Sequence, residues 1–144
     1  MSEVIVVDSN IIFSTLVSAG PGVLRQLQNW DYAFLAPSFL IEELLTHAGR
    51  IESMTKLVRT EFIELLIFLS QRLEIIHPRT LSVGSFVEAS RLCHSVDPAD
   101  IPFVALALER SAKLWTRDDT LKAHLIKNGF DSFFEPDTIE LDAQ

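Results

Sequence analysis

VIVVDSNIIFSTL, residues 4–16, divides at Asp8 into two kinds of chain. Val4 to Val7 is an unbroken β-branched run with no polar alternation, the pattern of a strand buried on both faces of a parallel sheet. Asp8-Ser9-Asn10 then supplies turn and cap chemistry, and the apolar residues that follow predict a helix. Strand, turn and helix are the first half of a βαβ unit.

The unit repeats outward along the chain. Gly20-Pro21-Gly22 breaks it, Val23 to Trp30 predicts a short helix with Val23, Leu24, Leu27 and Trp30 on one face, and Tyr32 to Ala36 a second strand. Pro37-Ser38 closes that strand, with Ser38 expected to cap a helix carrying Ile41, Leu44 and Leu45, and Gly49 expected to stop it. Glu52 to Gln71 is predicted helical throughout, Leu73 to His77 a third strand, and Val83 to His94 a helix. Asp97-Pro98-Ala99-Asp100 opens a helix that runs to about Arg110, with Asp97 as cap and Pro98 in the first helical position. Lys113 to Thr116 is predicted as a fourth strand, Asp118 to Asn128 as a helix ended by Gly129, and Phe133 to Leu141 as a weak fifth strand. Strands separated by helices imply a central parallel sheet of four to five strands in a three-layer α/β/α sandwich. No repeat or linker interrupts the chain, so residues 1–144 are expected to form a single domain.

Composition sets limits on function. The chain has 144 residues, 48% of them hydrophobic and 22% charged, which disfavours disorder and suits a packed core. Glu3 and Asp8 bracket the first apolar run, unlike an export signal, and Phe62 to Leu69 is interrupted by Glu64 and far too short to span a bilayer. No membrane association is expected. The lone Cys93 can form no internal disulfide and suits a reducing cytoplasm. A net charge of −8 argues against broad electrostatic attraction for nucleic acid, unless divalent cations reverse the field locally.

In open parallel sheets, ligands gather at the carboxyl ends of the strands, and acids stand at these positions. Asp8 follows the first strand, Glu43 lies in the helix after the second, Asp100 opens the helix before the fourth, and Asp118 follows the fourth. Together they can supply the oxygen ligands that Mg²⁺ or Mn²⁺ prefers, and such ions promote phosphodiester hydrolysis. Singly, Asp8, Asp100 and Asp118 are equally well read as helix caps, Asp97 best of all, and Glu43 as a solvated helix residue beside Glu42.

Four strings carry these acids in order: VIVVDSNIIFSTL, APSFLIEELLTH, DPADIPFVALALE and KLWTRDDTL, beginning at residues 4, 36, 97 and 113. They resemble the four acidic motifs of PIN domains over nearly the whole chain. The resemblance implies a Mg²⁺- or Mn²⁺-dependent ribonuclease acting on RNA, of the kind that includes the VapC-type toxins of bacterial toxin–antitoxin pairs. It matches the motif acids to Asp8, Glu43 ahead of Glu42, Asp100 and Asp118, with Asp97 as an outer helper and Asp119 as a neighbouring substitute. Metal is then expected on Asp8, Asp100 and Asp118, and attack on the phosphate by an activated water without a covalent intermediate. Ser9, Asn10 and Thr116 flank the site, where they could bond carboxylates or phosphate or serve only as turn residues. Arg117 and Lys122 are candidates for substrate contact, against a plain reading as surface charge.

Other features compete. Glu43 and His47 share a helix face at metal-ligand spacing, but His77, His94 and His124 are scattered and no zinc pattern forms. Phe103 and Trp115 sit in apolar runs and are expected in the core. Glu61 to Leu69, EFIELLIFL, is apolar on nearly every side, so this helix is expected to complete its burial against another chain, against a plain reading as a central helix covered within the monomer; the resemblance implies a second copy or an antitoxin as that partner. Two other functions remain open at this point: a catalytically silent PIN-fold scaffold, which the acidic charge favours, and a phosphatase or receiver-like domain with Asp8 as phosphate acceptor. The phosphatase pattern requires a second Asp where this chain has Asn10.

Overall fold

The computed structural model describes residues 3–136. Its four strands are β1 (Glu3–Val7), β2 (Tyr32–Pro37), β3 (Leu73–Ile76) and β4 (Lys113–Trp115). They lie in the order β3-β2-β1-β4 with every pairing parallel. The predicted β-branched run is the reason β1 can occupy the interior: Ile5, Val6 and Val7 are fully buried between neighbours on both edges. Parallel neighbours require crossovers, and among the described residues seven helices supply them while an eighth follows β4. These are α1 (Ser9–Ser18), α2 (Pro21–Leu27), α3 (Phe39–Thr46), α4 (Ala48–Met54), α5 (Arg59–Arg72), α6 (Val83–Leu92), α7 (Ile101–Arg110) and α8 (Asp119–Lys127).

α7 packs across β1, β2 and β4 with α6 beside it, and α1 meets α2, α3, α4 and α5. The outcome is the expected three-layer α/β/α sandwich. Phe103 to Ala107 of α7 are five consecutive buried residues, because this helix is covered by the sheet and by α6 together. Trp115 and Phe103 are core residues as expected, and Trp115 stacks with Phe34 and Phe134 at 5.8 and 5.2 Å between ring centroids.

Several boundaries differ from the sequence reading. The helix after Gly20 starts at Pro21 and ends at Leu27, leaving Trp30 outside it and 70% exposed. The expected continuous helix over 52–71 is two helices. Thr55 donates its hydroxyl to the Leu16 carbonyl at 2.7 Å and Lys56 its amide to the Val17 carbonyl at 2.8 Å. The chain is thereby pinned to the end of α1, and helix resumes only at Arg59. Gly49 does not stop a helix but lies inside α4, and Ser38 makes no capping bond because its backbone is already helical. Of the fifth strand, a single parallel bridge from Phe133 to Leu114 forms; residues 137–141 of that expectation lie outside the described residues.

Arg72, which ends α5, is the feature that no pattern in the sequence announced. It is buried, and its guanidinium donates to the carbonyls of Leu27, Asn29 and Tyr32 at 2.5, 2.6 and 2.6 Å. The rings of Trp30 and Phe34 lie 4.5 and 4.7 Å from it. One cation thus ties the turn between α2 and β2 to the end of α5, joining the Tyr32 amide as a donor to the Asn29 carbonyl. Among the described residues no helix is long and apolar enough to cross a membrane.

Candidate active site

The chain moves outward from β1 through β2 to β3, then returns across both to place β4 on the other side of β1. The order reverses between β1 and β4, and at such a switch point the crossovers leave on opposite faces and open a crevice at the strand ends. Val7 pairs with Trp115 at this edge, and the Asp8 amide donates to the Trp115 carbonyl at 2.9 Å. Asp8 and Thr116, 108 residues apart in sequence, are therefore the first residues beyond two adjacent strands.

Thr116 organises the crevice. Its buried hydroxyl donates to Asp8 Oδ2 at 2.6 Å, and it accepts from the Asn10 side-chain amide at 3.2 Å and from the Asp118 backbone amide at 3.1 Å. Asn10 in turn accepts from the Arg117 amide at 3.3 Å. Asp8 Oδ1 takes the Ser9 amide at 2.8 Å, and Asp118 Oδ1 takes the Leu121 amide at 3.0 Å, so each caps the helix it precedes. The two readings of these aspartates do not compete, since a carboxylate that caps with one lone pair keeps others for a ligand. Asp97 also caps, accepting from Ala99, whereas Asp100 makes no capping bond.

Glu43 comes from α3. Leu40 is buried on that helix, and Glu43 is three residues on, so helical geometry turns it inward with Leu40 while Glu42 faces solvent. Its Oε1 is buried without a hydrogen-bond partner. A buried carboxylate oxygen left unpaired is costly and calls for a function.

The electrostatics join the acids into one group. Burial pushes the Asp100 carboxyl up to about 7, with the charges of Asp8, Asp97, Asp118 and Glu43 adding to the rise. Burial also raises Asp8, only 4% exposed, against the Thr116 and Ser9 hydrogen bonds that favour its ionised form; Asp118 pushes it further up. Glu43 is raised by burial and by Asp8 and Asp97, and opposed by Ser9 and His47. Ser9, Asn10, Thr116, Asp97 and the four principal acids are thus brought to one place.

The remaining candidates stand apart from it. Lys122 forms an ion pair with Glu135 at 2.8 Å and lies over the Phe133 ring. Arg117 and Asp119 are exposed beside the crevice, and His47 packs edge-on against Phe13. Cys93 is buried, which raises its thiol to about 11 and leaves it inert.

A family model described as PIN domain matches residues 6–132, taking in the first, second, third and fourth acids. The chain belongs to the PIN-domain family. Among solved structures, a chain of VapBC2 from Rickettsia felis, bound to a DNA fragment from their promoter, is similar over 92% of this PIN domain and 97% of its own length. The TM-score is 0.61 and the identity 19%, a likeness of fold. No curated protein sequence matches.

The donors of this PIN domain suit a hard divalent cation: they are all carboxylate oxygens, mutually repelling, with one oxygen orphaned in the interior. Among the described residues no group of three or more His, Cys, Asp or Glu side chains is gathered tightly enough to enclose an ion. The inward turn of Glu43 was available from the three-residue spacing to Leu40. The central part played by Thr116 was not, because it depends on β4 lying beside β1.

Proposed function

We propose that this PIN domain is a divalent-metal-dependent endoribonuclease that hydrolyses RNA phosphodiester bonds. The observation that supports it most is the convergence at the switch point of Asp8, Glu43, Asp100 and Asp118 from separate segments, close enough for the charges of the other three to raise the Asp100 carboxyl. Asp8, Asp100 and Asp118 would hold Mg²⁺ or Mn²⁺, with Thr116 and Ser9 fixing the Asp8 carboxylate and Asp97 and Asp119 acting from the periphery. When bound, such an ion supplies positive charge against the phosphate and lowers the pKa of water. Glu43 presents a buried, unpartnered oxygen with a raised pKa, suited to take the proton from the attacking water. Asn10 orients Thr116 and the Arg117 backbone, and the exposed Arg117 side chain, beside the crevice, would meet the RNA backbone.

The same reading takes the chain as the toxin of a toxin–antitoxin pair, with an antitoxin protein as partner and the cytoplasm as its place of work. The fold likeness to VapBC2 supports the first part, and the single buried cysteine suits the second. A homodimer through α5 belongs to the proposal too. Ile63, Leu66 and Ile67 on that helix are 43%, 40% and 52% exposed, an apolar face that a second copy would cover.

The test is cleavage of single-stranded RNA in Mn²⁺ by wild type and by Asp8→Asn, Asp100→Asn and Asp118→Asn separately. Each variant is expected to keep its circular dichroism spectrum and lose cleavage by at least about 100-fold. Undiminished cleavage in all three refutes the assignment. Calorimetry that detects no Mn²⁺ binding to wild type would favour the silent scaffold instead.

A further inference from the structure

A cavity of about 410 Å³ opens between α1 and α4, lined by Asn10, Phe13, Val17, His47, Arg50 and Met54 among others. Its volume lies within the roughly 300–1,000 Å³ of clefts that take small organic groups. It adjoins the acid crevice through Asn10. Asn10 belongs to both, and His47, one turn beyond Glu43 on the same face, is close enough to lower the Glu43 pKa.

The lining is selective in kind. Phe13 forms the aromatic wall, with the His47 ring edge-on at 5.6 Å between centroids, and Val17, Ile51 and Met54 complete an apolar interior. Asn10 donates one amide hydrogen to Thr116 and accepts from the Arg117 backbone amide, which leaves it one donor at the cavity wall, while Ser14 donates its hydroxyl to the Ile11 carbonyl. Arg50 is exposed at the edge, and its guanidinium has no ion-pair partner among the described residues. A flat aromatic heterocycle inside and a phosphate at the mouth would satisfy both parts. The net charge of −8 makes such a pocket useful, because stacking and burial of a base provide affinity that a chain poor in cations cannot draw from phosphates.

We infer that the α1–α4 cavity is a nucleobase pocket, taking one splayed base of a single-stranded RNA whose neighbouring phosphate lies at the carboxylates and whose next phosphate meets Arg50. This deepens the nuclease reading and rests on it for the identity of the polymer. The pocket fixes which nucleotide stands beside the cut, so it is the specificity element of the site.

Nucleotide binding without cleavage separates the two claims. The four ribonucleoside 5′-monophosphates and ribose 5-phosphate are titrated in EDTA, with the His47 ring and Asn10 amide signals followed by NMR. At least one nucleotide is expected to shift both signals and to bind tenfold or more tighter than ribose 5-phosphate. Val17→Trp, which fills the cavity, should weaken that nucleotide at least tenfold, and Arg50→Ala, at an exposed position that leaves the fold alone, should weaken it several-fold. Ribose 5-phosphate binding as well as the best nucleotide, no shift with any nucleotide, or unchanged affinity in Arg50→Ala overturns the pocket. None of those results touches metal-dependent cleavage, and wild type that cuts no RNA while binding a nucleotide here would overturn only the nuclease reading.

Discussion

Replacing Asp100 by Asn should make the metal-free protein more stable at neutral pH while destroying its site. The carboxyl ordinarily titrates at 3.8 and is raised to about 7 by burial and by Asp8, Asp97, Asp118 and Glu43. An acid raised on folding holds its proton more tightly in the folded chain. Stability is therefore greatest below about pH 4 and is lost as pH rises through about 7, where the folded chain must at last ionise. At about 1.4 kcal/mol per pH unit the whole rise would be worth about 4 kcal/mol. Asp100 remains partly exposed, and solvent screening reduces this to about 1–2 kcal/mol. Asn has the shape of the neutral acid and carries no charge at any pH. Urea unfolding in EDTA is expected to find Asp100→Asn more stable than wild type by about 1–2 kcal/mol at pH 8, a rise of roughly 3–8 °C in Tm, and equal to it near pH 4. Adding Mn²⁺ at pH 8 should stabilise wild type and not the variant, since ligand binding to the folded state adds stability in proportion to its occupancy. A variant equal to or weaker than wild type at pH 8 in EDTA would refute the idea that these acids strain one another.

Three further outcomes follow from other residues. Glu43→Gln should lower the cleavage rate by about 100-fold or more, the usual worth of a general base, and Glu42→Gln should leave it unchanged; the reverse ranking in single-turnover assays would exchange their roles. Arg72→Met keeps the bulk of the side chain but removes the guanidinium donors to the carbonyls of Leu27, Asn29 and Tyr32, and urea unfolding should record a loss of about 2–4 kcal/mol with no change in cleavage per folded molecule. Ile67→Glu places a charge in the exposed apolar face of α5 and should convert a dimer to a monomer in sedimentation velocity. Wild type sedimenting as a monomer would remove that interface.

The layers were legible in the sequence because they depend on local pattern. Val4 to Val7 is apolar at every position and could only be an interior parallel strand, and Asp118 and Gly129 bound α8 by capping chemistry that acts within a turn or two. What escaped depends on residues far apart. The break between α4 and α5 is made by the carbonyls of Leu16 and Val17, to which the periodic run from Glu52 to Gln71 contains no reference. Arg72 is buried because three carbonyls some forty residues earlier require a donor, and a lone Arg at a helix end ordinarily predicts exposure. In the site, the positions of Asp8, Asp100 and Asp118 at element ends were readable, but so was their alternative as caps. Only the sheet order, which brings Thr116 to Asp8, allows Asp8 and Asp118 to serve as both.

That sheet order also has a temporal meaning. The strand beside β1 on the switch-point side is the last of the four to be made, and 108 residues separate Asp8 from the threonine that holds it. At ribosomal speeds of about 5–20 residues per second, roughly 5–20 s pass between the synthesis of the two. Throughout that interval the emerging chain can form β1, β2 and β3 with their helices, yet it has no β4 edge, no Thr116 and no Asp118. A nascent or prematurely terminated product ending before Lys113 therefore lacks Thr116 and Asp118, and on the nuclease reading it could not cut the message being translated until both had been made.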